Sequence, residues 1–270
     1  MCHYCGYEEI FSHTCSQCGS KFVSGFRAGT QQIEEIVKKM FPGAKTLRMD
    51  MDSTSGKEGH EKILTAFSNH EADILIGTQM IVKGHDFPDV TLVGIVAADM
   101  SLYAGDFRAS EKTFQLLTQA AGRAGRDGKR GEVVIQTYSP QHFSIKTAAM
   151  QDYENFYEEE IQYRKLSGYP PVSNVLMISM SSKNEKQLIQ TSKEVGDNLK
   201  NILPSEDMGE KVWVTGPTDG AAYKRNDIYT KVIFIKCHKY DILTILKDTF
   251  DIYVRDNILF KQIDVQYDFN

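Results

Sequence analysis

Apolar residues Ile33, Ile36, Val37 and Met40 recur at helical spacing, with Thr30 ahead of them and Pro42-Gly43 behind. That pattern predicts a helix over residues 31–41 with Thr30 as its N-cap. A short strand near 46–49 and an acidic turn, Asp50-Met51-Asp52, come next. A helix over 57–67 follows, turning Ile63, Leu64 and Phe67 inward. Residues 72–78 and 91–98 are nearly continuous apolar runs, as expected of strands covered on both faces. A helix over 110–124 and a strand over 132–138 complete the series. Helices alternating with buried strands predict an α/β fold, a parallel sheet with helices on both sides.

Between 142 and 168 the pattern becomes helical and charged, with Tyr153, Phe156, Tyr157, Ile161 and Tyr163 as apolar contacts. Gly168-Tyr169-Pro170-Pro171 breaks it and marks a domain boundary. Beyond lie a strand (175–179), a helix (185–202), two strands (213–215 and 230–236), a helix (240–248) and a last strand (261–267). That order predicts a ferredoxin-like α+β sandwich. Four regions result: a cysteine module over 1–25, an α/β lobe over 26–140, a helical linker over 141–169 and the ferredoxin-like domain over 170–270.

Composition narrows the function. A hydrophobic share of 41% and a charged share of 25% in 270 residues are those of an ordinary soluble protein. No apolar run approaches the roughly 20 residues that span a bilayer, and no signal peptide opens the chain. A cytoplasmic location without membrane contact is expected. The net charge of −5 argues against a surface coated in basic patches, so nucleic acid would be held at local positive sites, with salt-sensitive binding.

Cysteines are unevenly spread. Cys2, Cys5, Cys15 and Cys18 form two Cys-x-x-Cys pairs, each followed by a glycine, Gly6 and Gly19, that eases a tight turn. In a chain without secretory features this pattern points to four thiolates on a tetrahedral zinc ion rather than to disulfides. A redox pair, or His3 or His13 in place of one cysteine, stays open. Cys237 reads as a strand residue.

Two segments carry the chemistry. Gln115 to Asp127 sets Gln119, Arg123 and Arg126 on one short stretch with Gly122 and Gly125 between them, the two arginines at i and i+3 on one face of a helical turn. Their planar, permanently charged forks suit phosphate, and an arginine aimed at a transferring phosphoryl group is worth about 10³–10⁵ in rate. The bland alternative is an exposed helix end followed by a basic turn. Upstream, Ile76 to Pro88 runs from an apolar strand into a glycine-broken polar loop. Ser53-Thr-Ser-Gly-Lys-Glu58 has the wrong spacing and ending for a phosphate loop. Asp50, Asp52, Asp99 and Asp106 read as solvated carboxylates rather than metal ligands. Lys224 and Arg225, flanked by Tyr223 and Tyr229, pair charge with stacking faces as single-stranded nucleic-acid sites do, or form a hairpin tip.

The stretches GTQMIVKGHDFPDV (77–90) and QLLTQAAGRAGRDG (115–128) resemble motifs V and VI of superfamily 2 helicases. Their wording is similar to that of the primosomal protein N′ family of bacterial replication-restart helicases, closely to Tyr138 and more loosely beyond. The resemblance implies the second RecA-like lobe of a DNA helicase, with the first lobe, its phosphate loop and most of the ATP and magnesium contacts absent here. It implies Arg126 and Arg123 against the terminal phosphates and Gln119 near the attacking water. Gly84, Asp86 and Gly122 then lie at the nucleotide, and Thr78, Gln79 and Lys83 at DNA. Thr78 and Gln79 could equally cap the strand. Family members carry further cysteine pairs upstream with interleaved zinc ligands, so the two pairs here serve one zinc or two. Implied partners are forked and single-stranded DNA, the single-strand-binding protein, met by the region of Lys224 and Arg225, and primosome proteins. The implied function is the C-terminal part of an ATP-dependent helicase that recognises stalled forks and restarts replication, inactive on its own. The alternatives are a non-enzymatic zinc-bearing nucleic-acid module or the motor lobe of a repair or recombination helicase.

Overall fold

The computed structural model describes residues 14, 19–20, 29–50, 59–82, 87–102, 106–125, 131–202 and 211–270. One compact unit ends at Glu158, and another begins at Glu159 and runs to Asn270.

The first unit contains α1 (Thr30–Met40), β1 (Thr46–Met49), α2 (Gly59–Ser68) and β2 (Ile74–Gly77), then a 3-10 turn, Gln79–Val82. It continues with β3 (Leu92–Ile95), α3 (Asp99–Leu102), α4 (Ala109–Ala121), β4 (Glu132–Ile135) and α5 (Phe143–Met150). The helix α6 (Tyr153–Ser167) follows. Among the described residues all pairing in this unit is parallel, Thr46 opposite Ile74 and Leu92 opposite Glu132, but it falls into two two-stranded ladders instead of one sheet. Met49, Leu64 and Phe87 form one core cluster. Ala98, Phe114, Leu117, Ile145, Ala148 and Phe156 form another, with Phe114 and Phe156 stacked at 4.2 Å.

Local chemistry moves some boundaries. Gly29, not Thr30, stands at the N-cap of α1, because the Thr30 hydroxyl is committed to the Asp50 carboxylate. The helix expected to reach residue 124 ends at Ala121, where the Gly122 N–H donates a hydrogen bond back to Thr118 O at 3.0 Å. Gly125, at φ +70°, has left helical geometry, and Arg126, expected on one helical turn with Arg123, lies outside the described residues.

The second unit contains β5 (Asn174–Ser182), α7 (Glu185–Ile202), β6 (Val212–Arg225), β7 (Ile228–Cys237), α8 (Tyr240–Asp256) and β8 (Asp264–Phe269). Its four strands form an antiparallel sheet in the order β6-β7-β5-β8. Leu176, Ile178 and Met180 of β5, Ile233, Ile235 and Cys237 of β7, Leu188 of α7 and Leu243 of α8 form its core. α8 runs past residue 248 because Phe250 and Val254 continue its apolar stripe into that core. Within this unit Arg164 pairs with Glu160 at 2.8 Å and donates to Pro170 O. The buried Lys236 donates to Ser167 O at the end of α6, its ammonium over the Tyr169 ring. Burial without a carboxylate beside it lowers the Lys236 pKa. Among the described residues, no helix is long and apolar enough to cross a membrane.

Candidate functional site

α4 is amphipathic, and that sets its chemistry-bearing side. Ala109, Thr113, Phe114, Leu117 and Ala120 are buried, which leaves Gln115 and Gln119 facing outward. One turn beyond Gln119 comes Arg123, half-buried, its amide bonded to Ala120 O at 3.1 Å. The turn that follows is held tightly. Gly125 N donates to Val90 O at 3.0 Å, and a Cβ at Gly131 would fall 2.3 Å from Gly125 N. The two segments singled out in the sequence thus meet, since Val90 ends the run that began at Gly77. The 3-10 turn Gln79–Val82 also packs against α4.

Thr78 and Gln79 are exposed at the C-terminal end of β2, the edge where open α/β sheets present their sites. The backbone of β1 approaches closely there: a Cβ at Gly77 would meet Met49 O at 2.5 Å. Lys83, Gly84, Asp86 and Arg126 lie outside the described residues, as do Cys2, Cys5, Cys15 and Cys18 and Asp52. Cys237 is a fully buried strand residue.

Of the carboxylates read as solvated, Asp50 and Asp99 are buried and Asp106 is half-buried. Asp50 is buried against Thr30 and pairs with Arg48 Nε at 3.2 Å. Asp99 is buried just after β3 and accepts from Thr137 Oγ1 at 2.8 Å and Tyr138 N at 2.9 Å, tying β3 to the end of β4. Burial pushes its carboxyl up, but these donors outweigh it and hold the pKa below the usual carboxylate value. Asp106 likewise sits low, burial being outweighed by Lys112 and by the Arg108 amide. Their partners are distant in sequence, as with Thr137, or unremarkable surface cations, and no local pattern marks them.

In the second unit Lys224 and Arg225 end β6 at a two-residue hairpin turn. Asn226 and Asp227 both have positive φ, at 51° and 59°, as the twist-matched hairpin turn requires. Lys224 pairs with Asp227 at 2.9 Å and lies over the Tyr229 ring. Tyr223 meets Tyr229 edge-on at 5.5 Å, lies under Lys231 and donates its hydroxyl to Glu185 at 2.7 Å. That hydrogen bond pushes the Tyr223 pKa up to about 12. An open depression of about 690 Å³ beside the hairpin is lined by Ser182 to Lys186, Tyr229 and Gln262.

Residues 10–128 match the helicase conserved C-terminal domain. The whole chain is 42% identical over 270 residues to the replication restart protein PriA of Bacillus subtilis, covering 33% of that protein. It is 35% identical over 235 residues (87% of this chain, 28% of the relative) to the Synechocystis replication restart protein PriA. It is 42% identical over 207 residues (76% and 28%) to that of Chlamydia pneumoniae. The chain spans about a third of the length of these curated relatives.

Proposed function

We propose, from a chain that carries a helicase conserved C-terminal domain and is a relative of the replication restart protein PriA along its whole length, that it is the second motor lobe and terminal domain of an ATP-driven DNA helicase acting in replication restart. The observation that carries the reading is the junction of Val90 with Gly125, which joins the two helicase-like segments at the end of α4.

In this reading Arg123 and Arg126 stabilise charge on the transferring phosphoryl group and Gln119 orients the attacking water. Gly84, Asp86 and Gly122 line the nucleotide. Such a lobe acts only when it closes on a partner lobe holding the phosphate loop and magnesium. Thr78, Gln79 and Lys83 touch the DNA backbone. Cys2, Cys5, Cys15 and Cys18 hold zinc, for which four thiolates are a fitting tetrahedral donor set. The second unit is a ferredoxin-like domain whose hairpin, Lys224 and Arg225, meets single-stranded DNA or the acidic tail of a single-strand-binding protein. An exposed cation–π contact is worth about 0.5–1 kcal/mol and base stacking about 1–3 kcal/mol, so a base displaces the lysine over Tyr229. Forked DNA and primosome proteins are the further partners, in the cytoplasm.

The test compares ATP hydrolysis by the 270 residues with that of the longer protein, each with single-stranded DNA. The chain alone should show none and the longer protein DNA-stimulated turnover. Turnover by the 270 residues alone would overturn the reading of half an engine.

A further inference from the structure

α8 carries apolar residues on two sides, and the core of the second unit uses one. Leu243, Leu246, Phe250 and Val254 pack inward. On the opposite side Asp241, Ile245, Asp248, Ile252 and Asp256 follow one another at steps of three and four residues, so they form one stripe along the helix. All of them are exposed, Ile245 at 61% and Ile252 at 62%. A single exposed apolar side chain is ordinary. These two are β-branched, which slightly disfavours helix, and they stand two turns apart on one line, about 10 Å by helical rise.

The stripe is acidic, and its charge is only partly met from within α8. The two cations of the helix are engaged, Lys247 with Asp248 at 3.1 Å and Arg255 with Asp251 at 2.6 Å. Asp241 and Asp256 have no cation paired with them among the described residues. Asp256 moreover ends the helix, where a carboxylate meets the negative end of the helix dipole. This charge decides between occupants. The phosphates of nucleic acid would face three carboxylates, and a second copy laid face to face would set aspartates against aspartates. A helix with leucine-sized residues seven apart and lysine or arginine beside them satisfies both the isoleucines and the aspartates.

We propose that the outward face of α8 docks a basic amphipathic helix of a protein partner, with Ile245 and Ile252 taking its apolar residues and Asp241, Asp248 and Asp256 its cations.

The test uses the full-length protein and, as probe, a fluorescently labelled synthetic helix of about 18 residues, matched in length to α8, with leucines seven apart and lysines one turn to either side. A second peptide of the same composition, its leucines and lysines scattered round the helix, is the control. By fluorescence anisotropy the patterned helix should bind about tenfold or more tightly than the control and weaken as salt rises. It should also slow amide exchange over 241–256. Replacing Ile245 and Ile252 together with lysine should weaken binding about tenfold or more, as should replacing Asp241 and Asp256 together with lysine, each with an unchanged thermal melt because all four side chains are exposed. Equal binding of the two peptides, protection confined to other segments, or unchanged affinity in either variant overturns the proposal. No binding of either peptide overturns it as well, since the face is then covered by the protein's own polypeptide.

Discussion

Replacing Gly131 with alanine asks whether the turn after α4 must stay where it is for turnover. The added Cβ would fall 2.3 Å from Gly125 N and 2.4 Å from the Ala124 carbonyl carbon, where ordinary contact begins near 3.4 Å. Both obstacles are backbone, so the turn must shift by about 1 Å, and it cannot swing freely while Gly125 N is bonded to Val90 O. Overpacking of this kind costs about 1–3 kcal/mol of stability. A displacement of about 1 Å in a positioning element costs about 10²-fold in rate. In the full-length protein Gly131→Ala should therefore lower DNA-stimulated kcat about a hundredfold while DNA affinity stays near wild type, with a thermal melt confirming the fold. Wild-type kcat in a folded Gly131→Ala protein would refute the link between this turn and turnover.

Two further outcomes follow from the geometry. A carboxylate held below its ordinary pKa of 3.8 contributes stability that is present above that value and lost as pH falls through the lowered one, so Asp99→Asn should destabilise the first unit by about 1.5–3 kcal/mol near neutral pH and progressively less in acid. Urea unfolding followed by far-UV circular dichroism checks this, while fluorescence of the single tryptophan, Trp213 in the second unit, should not move; an equal loss at both pH values would contradict it. Replacing Lys224 and Arg225 together with alanine should flatten the salt dependence of single-strand binding by about 1.4 units in log–log slope, at about 0.7 per phosphate contact, read by fluorescence anisotropy; an unchanged slope would remove the hairpin from the DNA interface.

The sequence pattern was most legible where burial follows a regular period. The helix expected over 185–202 and the strand expected over 175–179 stand as α7 and β5, and β2 and β3 lie within the apolar runs at 72–78 and 91–98. It was least legible where distant residues decide. Asp50 and Asp99 look like solvated turn carboxylates, but Thr30 and Thr137, 20 and 38 residues away, draw them into the interior. The strand expected over 213–215 extends as β6 to Arg225, because pairing with β7 continues past two irregularities to the hairpin. The apolar run at 91–98 promised cover on both faces, and only one face of β3 has it, since burial depends on a neighbour that the run itself cannot specify. At the candidate site, the glycines of the arginine segment are visible in the sequence, but their separate uses are not: Gly122 stays right-handed and Gly125 adopts positive φ.

The most direct test of the central claim is Arg126→Ala in the full-length protein, with ATP turnover and single-strand affinity measured on the same preparation. An arginine that meets the phosphoryl group only in the transition state should, on removal, cost about 10³-fold or more in kcat and leave DNA binding within a few-fold of wild type. Wild-type turnover in the Arg126→Ala protein would mean that this segment is structural, and the motor-lobe reading would fail.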